Sequence, residues 1–133
     1  MKINALDHVN IITDDLEGTA RFFVDIFDLD LRDGPEPLPP ELVQWLYDDN
    51  DRAIFHINAK GMQQAFERDT KSGPMTGAIH HVALDCSDHK AFIARLEAHD
   101  IDYRLNDIPS IGLKQLFFSE PNGVLLELNF RGE

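Results

Sequence analysis

The sequence predicts an α+β fold built from two βαβββ modules, and three observations carry that reading. The chain resembles itself, because Leu6-Asp7-His8-Val9 lines up with Ile79-His80-His81-Val82, and Asp15 then falls on Asp88. Each copy opens on an apolar segment of period two followed by a capped segment of helical period. Four strands, finally, split into one apolar and one polar face.

The elements follow in order. Leu6 to Ile12 alternates as a strand, and Thr13 or Asp14 is placed to cap a helix whose Leu16, Ala20, Phe23 and Phe27 recur at helical spacing. A strand at Leu29 to Arg32 comes next. Pro35, Pro37, Pro39 and Pro40 make the following stretch a loop, since proline lacks a backbone donor and fixes φ. Strands at Val43 to Tyr47 and Ala53 to Asn58 flank an Asp-Asn-Asp turn. The second copy has Ser87 as cap, Phe92, Ile93 and Leu96 on the buried helix face, and Pro121-Asn122-Gly123 as a hairpin turn. The repeat places Leu29 to Arg32 on Ile101 to Arg104, Gln44 to Tyr47 on Gln115 to Phe118, and Ile54 to Asn58 on Leu125 to Asn129. Residues 1–133 thus form one domain, with module one at about 1–66, a connector at about 67–77 and module two at about 78–133.

Composition narrows the function classes. Among 133 residues, Asp+Glu 24 against Lys+Arg 12 gives a formal net charge of -12, which repels nucleic-acid backbones and anionic membranes. The start of the chain carries no apolar run fit for a secretory signal, and nothing approaches a membrane span. Cys86 is the single cysteine, so neither an internal disulfide nor a multi-thiolate zinc site can form. A reducing, cytoplasmic setting is expected, with a small molecule as ligand and no nucleic acid or membrane. There is no glycine-rich phosphate loop and no nucleophile elbow. Cys86 shares the helix-facing side with Leu84 and reads as a core residue.

The polar strand faces hold the chemistry. Val9 and Ile11 oppose His8, Asn10 and Ile12; Val82 and Leu84 oppose His81; Phe55 and Ile57 oppose His56 and Asn58; Leu126, Leu128 and Phe130 oppose Glu127 and Asn129. The repeat matches His8 with His81 and His56 with Glu127. Imidazole and carboxylate together suit Zn, Fe, Ni, Co or Mn, and two His plus one carboxylate leave positions open for substrate. The alternatives are metal-free pocket histidines for His8 and His81, and a solvated strand carboxylate for Glu127. For His56 three roles stay open: fourth ligand, proton carrier beside the metal, or polar pocket wall. His80 points to the opposite face, and His89 and His99 belong to the helix, so all three read as structural or solvated.

These residues resemble the vicinal oxygen chelate superfamily, which includes glyoxalase I, methylmalonyl-CoA epimerase, fosfomycin resistance enzymes, extradiol dioxygenases and bleomycin resistance proteins. Leu6-Asp7-His8-Val9 looks like its opening strand, Ile79-His80-His81-Val82-Ala83 like the counterpart, and Phe118 to Leu128, with Glu120-Pro121-Asn122-Gly123, like its closing hairpin. The resemblance implies a curved mixed sheet around a cup, one divalent transition metal (Zn, Ni, Co, Mn or Fe(II)) on His8, His81 and Glu127, and a homodimer. It implies a metal-dependent lyase or isomerase of the glyoxalase type acting on a small substrate chelated through two oxygens, with Glu127 or His56 moving the proton. Gln44 and Gln115 would orient substrate oxygens. An Fe(II) ring-cleaving dioxygenase, assisted by His56 or Tyr103 and taking a ring beside Trp45, Tyr47 or Phe117, is the runner-up. A drug-binding protein without catalysis is the third reading. His56 stands where glyoxalase I commonly has a second glutamate, and with basic residues scarce only Arg52, Arg104 and Lys114 could receive glutathione or a coenzyme A phosphate.

Overall fold

The computed structural model describes Met1, Asn4, 6–62 and 81–132. The expected connector at 67–77 and His80 lie outside the described residues. The chain divides into two compact units, Met1–Ser72 and Gly73–Glu133, each holding one four-stranded mixed sheet. In the first, β1 (Val9–Thr13), α1 (Leu16–Phe27), β2 (Asp30–Asp33), β3 (Val43–Tyr47) and β4 (Ala53–Ala59) give the order β1-β4-β3-β2. In the second, β5 (Val82–Cys86), α2 (His89–Ala98), β6 (Arg104–Ile108), a short 3-10 turn at Pro109–Ile111, β7 (Leu113–Ser119) and β8 (Leu125–Arg131) give β5-β8-β7-β6. β1 runs parallel to β4 and β5 parallel to β8, while the other neighbours are antiparallel. This is the α+β architecture of two βαβββ modules.

The cores follow from the apolar strand faces. In the first unit Ile11, Leu46, Phe55 and Ile57 are buried beneath Ala20, Phe23 and Ile26 of α1, which lies on β3 and β4. In the second, Leu116, Phe118, Leu126, Leu128 and Phe130 are buried, and α2 meets β8 where Phe92 and His89 contact the Phe130 ring edgewise. Each buried side chain of this size contributes about 1.5–3 kcal/mol. Cys86, at the end of β5, is only half-buried, because it falls at the sheet margin rather than in the core.

The helix caps differ from the expected ones. Asp15, not Thr13 or Asp14, caps α1: its Oδ1 accepts from the Gly18 N–H at 2.9 Å, and a Cβ on Gly18 would lie 2.1 Å from the other carboxylate oxygen. Thr13 ends β1, where its hydroxyl accepts from the Asp15 N–H and bonds the Thr19 hydroxyl, while Asp14 reaches Lys60. Asp88, not Ser87, caps α2 through the Ala91 N–H. Replacing Asp15 with alanine should therefore cost about 1 kcal/mol in denaturant unfolding. Asp14→Ala, which removes only an exposed ion pair, should cost at most about half of that.

The two hairpin turns share one device. Asp48 Oδ1 accepts from the N–H groups of Asn50 and Arg52, and Glu120 Oε1 accepts from those of Asn122 and Val124. The left-handed position falls on Asp51 in one turn and Gly123 in the other. Glu120 is buried by this role, at 2% exposure. Arg52 chelates the second oxygen of Asp48 through Nε and Nη2, which holds that carboxyl below its usual range.

Registers correct one match in the internal repeat. Trp45 pairs with His56 and Phe117 with Glu127, so Trp45 corresponds to Phe117, and Gln44 to Leu116 rather than Gln115. The register passes from Leu46↔Phe55 to Tyr47↔Ala53, leaving Ile54 as an extra residue in β4. That bulge is the slip. Ala53 rather than Ile54 then falls on Leu125, while Arg32 and Arg104 pair alike with Trp45 and Phe117, and Val9 and Val82 with Phe55 and Leu126.

Candidate functional site

In the first unit the parallel pairing of β1 and β4 sets Val9 beside Phe55, so His8, one residue earlier, reaches the His56 ring. The two imidazoles stack with centroids 3.8 Å apart, and Trp45 stacks on His56 at 4.0 Å with an interplanar angle of 2°. His56 is therefore sandwiched. Burial first, and then the charge of His8, push its pKa down from 6.5 to about 4, against the opposing pull of Asp7. Asp7 Oδ2 lies 2.6 Å from His8 Nδ1. A proton on that nitrogen donates to the carboxylate and leaves Nε2 with the lone pair, the tautomer a metal ligand needs. Asp7, Trp45 and His56 border an open cleft of about 550 Å³, lined also by Asn4, Leu6, Arg52 and Ala53.

The pH consequence has a definite sign. Unfolded chain takes up the His56 proton near pH 6.5, and the folded protein only near pH 4. The metal-free protein should accordingly lose stability as pH falls from about 6.5 to about 4. An NMR titration should give His56 a midpoint near 4, and Trp45→Ala, which uncovers one ring face, should return it toward 6.5.

In the second unit β5 lies parallel to β8, and Val82↔Leu126 and Ala83↔Glu127 set His81 against Glu127. His81 Nε2 stands 3.1 Å from Glu127 Oε2. Two donors about 2.1 Å from a common ion stand roughly 3.0–3.4 Å apart, so this pair has the spacing of adjacent ligands. Glu127 Oε1 faces the other way and accepts from Gln115 Nε2 and Asn129 Nδ2, both at 2.9 Å. Among the described residues no three His, Cys, Asp or Glu side chains gather in one metal cluster. The donors come as two pairs: His8 with His56, and His81 with Glu127.

Other expected site residues are engaged elsewhere. Gln44 lies on the opposite strand face from Trp45 and bonds Asp33 and the Pro40 carbonyl. The Tyr103 hydroxyl donates to Glu97, which raises its pKa. Arg52 is held by Asp48, Arg104 lies over the Phe117 ring, and Tyr47 carries the Arg32 guanidinium. His89 contacts Phe130, and His99 closes the end of α2 in an exposed position. The sequence pattern puts Asn129 on the face of Glu127 but gives no role to Asp7 or Asn106. Asp7 is the carboxylate next to His8 and could have been found as such, but Asn106 emerges only from strand register.

Comparison with known proteins agrees with this architecture. Residues 5–128 match the family model described as the Glyoxalase/Bleomycin resistance protein/Dioxygenase superfamily. No curated protein matches significantly in sequence. Among solved structures, lactoylglutathione lyase from Agrobacterium tumefaciens is 18% identical with a TM-score of 0.68, over 98% of this chain and 96% of its own. The fosfomycin resistance protein of Listeria monocytogenes is 16% identical with a TM-score of 0.63, over 96% and 91%. A virulence protein of Salmonella typhimurium is 14% identical with a TM-score of 0.72, over 98% and 99%. These likenesses show the fold. No helix among the described residues is long and apolar enough to cross a membrane. Matched by the family model along nearly its whole length, the chain belongs to the glyoxalase/bleomycin resistance protein/dioxygenase superfamily.

Proposed function

We propose that the chain is a metal-dependent lyase or isomerase of the glyoxalase type, with one divalent transition metal on His8, His81 and Glu127 and with His56 at the same site. His8 and His56 come from one unit and His81 and Glu127 from the other, of the same or a second copy. The observation that carries the reading is the 3.1 Å approach of His81 Nε2 to Glu127 Oε2. The Asp7 contact that fixes the His8 tautomer supports it. When bound, the metal supplies Lewis-acid polarisation of two neighbouring substrate oxygens.

The protein's own groups do the rest. Asp7 orients His8, and Gln115 and Asn129 turn Glu127 so that Oε2 faces His81. The edge of His56 reaches the cleft, where the ring stays neutral at pH 7. Proton transfer at the substrate carbon falls to His56 or Glu127, the acid/base groups of the set. We also propose a homodimer in a reducing, cytoplasmic compartment. Light scattering should give twice the 15.1 kDa chain mass.

Elemental analysis and a substrate screen test the reading. One divalent ion per site, with turnover of a two-oxygen substrate under nickel or zinc and no oxygen uptake, is expected. Oxygen uptake with catechols under Fe(II) would replace the proposal with a dioxygenase. Metal-free protein that binds an organic cation tightly would replace it with a drug-binding protein.

A further inference from the structure

The amide groups behind Glu127 form a network with a direction. Gln115 is buried at 9% exposure, and its Nε2 donates both to Glu127 Oε1 and to Asn129 Oδ1, each at 2.9 Å. Asn129 Nδ2 donates to the same Glu127 oxygen at 2.9 Å. Gln115 Oε1 accepts from Asn106 Nδ2 at 2.7 Å. The Glu127 carboxylate can only accept, so it takes the amino end of Gln115, and the Asn106 N–H₂ against Gln115 Oε1 backs the same orientation from the other side. Turning Gln115 over would set two acceptor oxygens, Oε1 of Gln115 and Oε1 of Glu127, against each other.

We propose that Gln115, backed in this orientation by Asn106, is a positioning residue that fixes Glu127 as a one-oxygen metal ligand and thereby sets metal affinity. The inference rests on the ligand assignment proposed above for Glu127. Two N–H donors consume one carboxylate oxygen, so Oε2 alone is presented toward His81, and the rotamer is held by three strands, β6, β7 and β8. Outer hydrogen-bond partners of this kind typically govern affinity by about 10–100-fold. Neither residue needs to touch substrate.

The test is Zn²⁺ affinity by chelator competition, paired with the visible spectrum of the Co²⁺ form and a melting curve of the metal-free protein. Gln115→Leu removes the donors at similar volume. Asn106→Asp sits on the exposed edge strand, leaves the core untouched and puts an acceptor opposite Gln115 Oε1. Its added negative charge would by itself tighten cation binding, so a fall in affinity speaks for the turned amide. Both variants should weaken Zn²⁺ binding by about 10–100-fold and shift the Co²⁺ bands, with the Asn106→Asp melting curve close to wild type. Wild-type affinity and an unchanged Co²⁺ spectrum in Asn106→Asp would overturn the inference while leaving the ligand assignment intact. Absence of Zn²⁺ binding by the wild-type protein would overturn the ligand assignment and this inference with it.

Discussion

With Glu127 as the proposed ligand, Glu127→Gln should fold like the wild-type protein and bind the metal far more weakly. The substitution keeps the shape of the side chain, and the Gln115 and Asn129 N–H donors select its oxygen for the inner position. The amide nitrogen is then left facing His81 at the position of Oε2. An amide N–H₂ has no lone pair to offer a cation. Four-ligand zinc sites bind with about 10–16 kcal/mol, so one ligand accounts for roughly 2.5–4 kcal/mol, a loss of affinity on the order of a hundredfold or more. Chelator competition measures that loss, and turnover should fall in step. A melting curve of the metal-free variant within about 0.5 kcal/mol of wild type would separate ligation from folding.

The largest expected effect on stability is at Phe23. Its ring is fully buried, stacks on Phe55 at 4.4 Å and lies 5.8 Å from the ring of Phe27. Phe23→Ala should cost about 3–5 kcal/mol in urea unfolding, a large part of the roughly 5–15 kcal/mol that holds a domain of ordinary stability. Phe92→Ala, at the half-buried ring on α2, is the internal comparison and should cost clearly less. Because Phe55 immediately precedes His56 in β4, the Phe23 variant should also loosen the stack of His56 with Trp45, read as increased mobility of the indole.

How much of this was legible in the sequence depends on the kind of signal. The faces of β4 and β8 were, because Phe55, Ile57, Leu126 and Leu128 alternate with His56 and Glu127, and alternation is what a half-buried strand enforces. The candidate ligands came from the same pattern. The caps were not, because Thr13-Asp14-Asp15 and Ser87-Asp88 each offer several side chains able to cap, and only the path of the chain out of the preceding strand selects one. The pairing of Gln44 with Gln115 misled, since a bulge at Ile54 has no residue signature and displaces the match by one. The contacts of Gln115 with Glu127 and Asn106 were out of reach for a related reason: they cross strands, and register is a property of the sheet.

The clamped turns bear on the order in which each sheet assembles. Asp48 and Glu120 tie their own turns through N–H groups two and four residues away, so closure of these hairpins asks for contacts that are nearly local. The parallel pairings of β1 with β4 and of β5 with β8 span most of a module and carry the greater loop-closure entropy. Hairpin first and parallel strand last is the sequence of events this favours. The histidines His8 and His81 immediately precede those late strands, so the donor pairs come together only at the final step, after the sheet that supports them is complete.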